Sequence, residues 1–177
     1  FMSSPTRVSY LHGTPHTNGD NADTIQVSAN DLGNTGSGGS GTVIFGTVNV
    51  DITAVNDAPV LDNAGATTLP TITKLQTNNG GASVSTIIAS AGGDRITDVD
   101  SGAVEGIAIT TLASGNGTWE YSIDAGASWS PIGAVSNISA LLLGANDAVR
   151  FVPNGVSGTT ASFDFHAWDQ TAGTAGT

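Results

Sequence analysis

The chain has 177 residues, a net charge of −11 and no cysteine, and only 11% of its residues are charged, against roughly 25% in an average globular domain. Four strong bases, Arg7, Lys74, Arg95 and Arg150, stand against fifteen acidic residues, which argues against nucleic acid as a partner. The absence of thiols excludes disulfides, thiolate zinc sites and a cysteine nucleophile, and no apolar run approaches the roughly 18 residues of a membrane-spanning helix, so no membrane insertion is expected.

Hydrophobic residues still reach 38%, too many for a disordered tail, and the abundance of small and β-branched residues predicts sheets joined by tight turns. Alternation of apolar and polar residues predicts strands at 23–28, 42–52, 105–112, 118–123, 148–152 and 161–167. Between them, Asn18-Gly19-Asp20-Asn21, the 34–41 stretch, Asn78-Asn79-Gly80-Gly81 and Asn154-Gly155 carry the Asn, Asp and Gly mixtures that supply positive φ in turns. The 138–143 segment admits a short helical turn, and its Leu141-Leu142-Leu143 run is core in either case.

The sharpest boundary is Val55-Asn56-Asp57-Ala58-Pro59-Val60, because Pro59 can neither donate to a sheet ladder nor continue a central strand. A domain junction is expected there. Two stretches also correspond: Gln26-Val27-Ser28-Ala29-Asn30-Asp31 and Phe163-Asp164-Phe165-His166-Ala167-Trp168-Asp169 each run from a strand into Ala-x-Asp and then a Thr/Gly-rich loop. Asp31 and Asp169 stand 138 residues apart, a plausible period for sandwich domains of ~100 residues or somewhat more.

Three elements occur in order along the chain: the linker Asn56-Asp57-Ala58-Pro59, the pair Asp98-Val99-Asp100, and a later single acid in Ala167-Trp168-Asp169. This set resembles the calcium framework of cadherin-type repeats. With Asn30-Asp31-Leu32-Gly33-Asn34-Thr35-Gly36 and Val149-Arg150-Phe151-Val152-Pro153, it is closest to the bacterial cadherin-like tandem repeats of large RTX-type surface adhesins. The resemblance covers most of the chain and is weakest over 1–16. It implies an all-β, antiparallel Greek-key sandwich of cadherin or immunoglobulin type with a partial second repeat. Residues 1–55 would be the C-terminal strands of a preceding repeat, 56–59 a calcium-binding linker, and 60–177 a nearly complete repeat lacking its last strand. Residues 42–55 of one molecule could then fill the final-strand place of another, giving homo-oligomers or filaments by strand exchange.

The metal implied is Ca2+, held by Asn56, Asp57, Asp98, Asp100 and Asp169. Calcium takes about 6–8 oxygens, more than one turn offers, so separate loops must converge. In an extended Asp98-Val99-Asp100 the two carboxylates would share a face and Val99 would point to the core. Set against the cadherin linker, the Asn-Asp pair is one place out of register, so the roles of Asn56 and Asp57 remain interchangeable. Glu105 and Glu120 are the only glutamates, so the acids that a preceding repeat normally contributes are missing. The competing reading is that these aspartates cap turns through their own backbone.

Such repeats are extracellular, secreted or on the cell surface, and partner with neighbouring repeats of the same protein. No catalytic residues are expected: no serine sits in a nucleophile elbow, and His12, His16 and His166 have no evident nucleophile. His12 and His16 also form a weak candidate metal pair. Ser122-Ile123-Asp124-Ala125-Gly126-Ala127-Ser128-Trp129 resembles the Asp-box of sialidases, a structural hairpin that occurs here once. Trp119, Trp129 and Trp168 offer an alternative function, a glycan or other cell-surface ligand stacked on exposed indoles.

Overall fold

A computed structural model of the chain describes residues 11, 19–30 and 41–177, in two units, 1–55 and 56–177. In the first unit, β1 (Gly19–Asn30) pairs antiparallel with β2 (Thr42–Ile52). Strand structure thus starts at Gly19, inside the predicted Asn18–Asn21 turn, and the register is irregular between Gly19 and Asp23. A second irregularity follows Val27, which lies opposite Gly46 while Ser28 lies opposite Ile44, so Phe45 is an extra residue. The extra residue switches the pleat. Val43 therefore shares a face with Val48 and Val50 on β2 and with Ile25, Val27 and Ala29 on β1.

The second unit is all-β apart from one short helix. Its strands are β3 (Val60–Leu61), β4 (Ala82–Ser83), β5 (Ile96–Thr97), β6 (Gly106–Ala113), β7 (Gly117–Ser122), β8 (Ser130–Pro131), β9 (Leu141–Gly144), β10 (Ala148–Pro153) and β11 (Ser162–Trp168). One sheet has the order β4-β10-β7-β8, the other β11-β6-β9, and β3 pairs with β5; all these pairings are antiparallel. The 138–143 segment is not helical: Leu141–Gly144 is a strand beside β6, with Leu141 and Leu143 buried. The helix is α1 (Val84–Ala89), whose Val84, Ile87 and Ile88 are buried at the i, i+3, i+4 spacing of one helical face. Ser83 caps it by accepting from the Thr86 N–H at 3.2 Å.

The core lies between the two larger sheets. Trp119 and Val149 from one meet Ile107, Ile109, Leu141 and Leu143 from the other, with α1 and Ile96 joining the same cluster. A bulge shapes β6: Ile109 faces Phe165 and Thr111 faces Asp164, leaving Thr110 extra. The phase change lets Leu112 stand opposite Phe163, on the same side as Ile109 opposite Phe165 and Ile107 opposite Ala167. The chain end also joins this sheet. Gly176 N–H donates to Leu142 O at 2.8 Å, and Leu142 N–H donates to Thr177 O at 3.2 Å, engaging the outer side of β9. Among the described residues no strand is paired to the outer side of β11.

Candidate functional site

The residues singled out at the start of the second unit meet through a continuous chain of hydrogen bonds. Asn56 Nδ2 donates to Asp169 Oδ2 at 2.7 Å and to Asp57 O at 3.0 Å. Asp57 N–H donates to Asp100 Oδ2 at 2.7 Å, and Asp100 N–H donates to Asp98 Oδ1 at 2.8 Å. Three stretches far apart in sequence are thereby joined: the linker, the segment after β5, and the loop after β11. Asp169 Oδ1 accepts from the Thr171 N–H at 3.0 Å and hydroxyl at 2.8 Å. The Asn56 amide, followed by these Thr171 bonds, holds the Asp169 carboxyl below its ordinary value.

One expectation fails at this place. Asp98-Val99-Asp100 is a bend rather than an extended strand, and Val99 is 55% exposed instead of facing the core. Asp98 folds the chain by accepting from the N–H two residues on, and a turn follows in which Ala103 N–H reaches Asp100 O at 3.3 Å with Gly102 at φ 83°. These bonds are those of turn-capping aspartates. They leave one atom unexplained: Asp98 Oδ2 is buried without any hydrogen-bond partner. A buried, unpaired carboxylate oxygen is costly unless something positive meets it.

Asp98 and Asp100 line a cleft of about 260 Å³ together with Pro59, Asp94, Thr97 and Glu105. Asp94 and Glu105 did not stand out in the sequence, because they belong to no motif. Only the approach of the β5 and β6 ends brings them to the same cleft. Among the described residues no three acidic or histidine side chains gather at metal-ligating range. The donor set is nevertheless all oxygen, and with the orphaned Asp98 Oδ2 it fits a hard divalent cation better than a soft one.

The other candidates are resolved by their surroundings. Ser122 to Trp129 is the hairpin between β7 and β8, with Asp124 at its centre. Its Oδ1 accepts from the Ser122 hydroxyl at 2.6 Å and the Ser128 N–H at 2.8 Å, and its Oδ2 accepts from the Ser128 hydroxyl at 2.6 Å. These bonds lower the carboxyl to about 2, and Ala125 at φ 56° and Gly126 at φ 89° complete the turn. Trp119, at 3% exposure, is core and cannot belong to an exposed sugar-stacking platform. Trp129 is half-buried with the Arg150 guanidinium 4.3 Å from its ring centroid. Trp168 is half-buried too, and its indole N–H donates to Ala172 O at 2.7 Å. His166 is exposed on β11, while His12, His16 and Asp31 lie outside the described residues.

No family model, no curated protein and no solved structure matches this chain. Among the described residues no helix is long and apolar enough to cross a membrane.

Proposed function

We propose that the chain is a structural and adhesive repeat of a long secreted or cell-surface protein, stiffened by calcium where one β-sandwich hands over to the next. The observation that carries this reading is the buried, unpartnered Oδ2 of Asp98, beside a chain of oxygen donors drawn from the linker and two later segments. Asp98, Asp100, Asp169 and Asn56 or Asp57 would hold the ion, and Asp94 and Glu105 would add to its field from the cleft. The ion would supply positive charge alone, neutralising repelling carboxylates; no bond is made or broken. With those residues bound together, the linker between the sequence-defined repeats loses freedom, and a string of such modules stands extended. The Greek-key topology and kinship with bacterial cadherin-like adhesins belong to the same proposal, which rests on the motifs and not on any matched relative.

Small-angle scattering of the whole chain tests it. Calcium is expected to lengthen the particle and narrow its distribution of dimensions, and Asp100→Asn is expected to remove the response. Identical profiles in calcium and in chelator would reject the stiffening role.

A further inference from the structure

The described residues hold three Asn-Gly pairs, Asn79-Gly80, Asn116-Gly117 and Asn154-Gly155. Asparagine is a thermolabile residue, most of all before glycine, because no Cβ then shields the next backbone nitrogen from the side-chain carbon Cγ. Attack by that nitrogen needs freedom to turn the Cα–C bond, an unengaged Nδ2 to leave, and donors to the oxygen that takes up charge. The fold grants these unequally.

Asn79 is locked in place. Its Nδ2 donates to Gln76 O at 3.0 Å and to Phe151 O at 2.8 Å, its Oδ1 accepts from the Gly81 N–H at 3.1 Å, and it is half-buried. Asn116 is held through its Nδ2, which donates to Gly158 O at 3.2 Å, and Gly117 opens β7 opposite Pro153, packed against Phe151. Asn154 differs from both. It is exposed, directly follows β10, and its Nδ2 has no hydrogen-bond partner among the described residues. The next strand starts only at Ser162, Gly155 sits at φ 78°, and a Cβ built on it would meet nothing within 4 Å, so the peptide plane has room to turn. The Asn154 Oδ1 meanwhile accepts two backbone N–H groups, from Val156 at 2.9 Å and from Ser157 at 3.1 Å.

From this contrast we infer that Asn154-Gly155 is a self-modifying site, at which the chain converts its own asparagine to a carboxylate with water as the only co-reactant. The Gly155 nitrogen attacks Cγ and a C–N bond forms; the Gly155 N–H proton passes through solvent to Nδ2, and the Cγ–Nδ2 bond breaks to release ammonia. Water then opens the five-membered imide at one carbonyl or the other, leaving aspartate or isoaspartate at 154. No electron is gained or lost. While Cγ is tetrahedral its charge rests on Oδ1, where the Val156 and Ser157 N–H groups already point. The aspartate keeps both donors as charge-assisted bonds. It also gains a cation as neighbour: Lys74 Nζ donates to Val156 O at 3.0 Å and has no carboxylate partner among the described residues, whereas Arg95 and Arg150 are paired with Asp62 and Glu120. The reaction owes nothing to calcium and stands whether or not the metal reading does.

Ageing of the full chain at neutral pH in isotopically labelled water, followed by peptide mapping in a mass spectrometer, gives the test. Label is expected to enter at Asn154 at least about tenfold faster than at Asn79 or Asn116. In urea, where only the shared Asn-Gly pair counts, the three rates are expected to come within about threefold of one another. Ser157→Pro removes one N–H donor and is expected to slow the reaction at Asn154 by about tenfold or more, with unchanged slow rates at Asn79 and Asn116 reporting an intact sandwich. Equal rates at the three sites in the native chain, or a lead at Asn154 that persists undiminished in urea, would overturn the inference. An unaltered rate in Ser157→Pro would overturn the role given to the two N–H donors.

Discussion

Replacing Trp119 with Ala tests whether this indole joins the two sheets. It is 3% exposed, with Phe151 and Phe163 both at 5.1 Å centroid separation in edge-on geometry, at 63° and 88°. Phe151 belongs to its own sheet and Phe163 to the other, so the truncation removes a contact that crosses the core. Buried aromatic to Ala substitutions cost about 3–5 kcal/mol, of which each edge-on ring pair supplies roughly 0.5–1.5 kcal/mol. Ala113 O also loses the indole N–H that reaches it at 3.3 Å. Because Trp119 lines the open groove, water can enter the vacated space, which favours the low end, about 3 kcal/mol. In a domain of about 100 residues that is a fall in Tm on the order of 12 °C or more. Urea unfolding followed by the fluorescence of Trp129 and Trp168 measures it. A loss under about 1 kcal/mol with unchanged denaturant slope would refute the placement of Trp119 between the sheets.

Three further outcomes are expected. Gly106→Ala puts a Cβ 2.8 Å from both Leu143 O and Trp168 Cε3, so a cost of about 1–3 kcal/mol is expected in urea unfolding, where a neutral result would contradict the close packing of Trp168 on β6. Glu120→Gln weakens the ion pair in which Arg150 Nε and Nη2 reach Glu120 Oε2 at 2.8 and 2.6 Å, with side-chain exposures of 12% and 22%. It should cost about 1–3 kcal/mol and change little between 0.05 and ~0.5 M salt, because partly buried pairs are weakly screened; a loss that vanishes in salt would show the pair to be solvated. For Asp124 the folded carboxyl sits at about 2, below its ordinary 3.8, so its contribution is full above the ordinary value and is lost as pH falls through the folded one. The melting-temperature gap between the native chain and Asp124→Asn should therefore be constant at neutral pH and narrow from about pH 5 down to pH 2. A gap unchanged across that window would mean the hairpin bonds do not favour the ionised form.

Much of the sandwich was legible because its strands are half-buried and alternate. The predicted 118–123 and 148–152 segments coincide with β7 and β10 to within a residue at each end, as the buried Trp119 and Val149 mark one face; 42–52 coincides with β2 of the first unit, an exposed strand that was legible from its alternation alone. α1 was missed although Val84, Ile87 and Ile88 have helical spacing, since six residues give too short a window for period to tell. β9 was ambiguous because three successive leucines have no period at all. The Asp98–Asp100 geometry was misjudged for a different reason. An extended reading ignores that Asp98 can bind its own backbone two residues on, and this local bond wins over continuation of β5. The link between Asn56 and Asp169 was suggested by motif order alone, whereas the share of Asp94 and Glu105 in the cleft depends on tertiary approach and has no sequence signature.

Isothermal titration of calcium into metal-free protein, run beside Asp98→Asn, tests the metal claim most directly. Binding in the extracellular range of about 10⁻⁴–10⁻³ M is expected, with a gain of about 1.4 kcal/mol in stability at ten times the dissociation constant. The heat should disappear in the variant, which removes one charge while keeping the shape. Absence of binding heat up to ~10 mM calcium, or an unaltered isotherm in Asp98→Asn, would contradict the account.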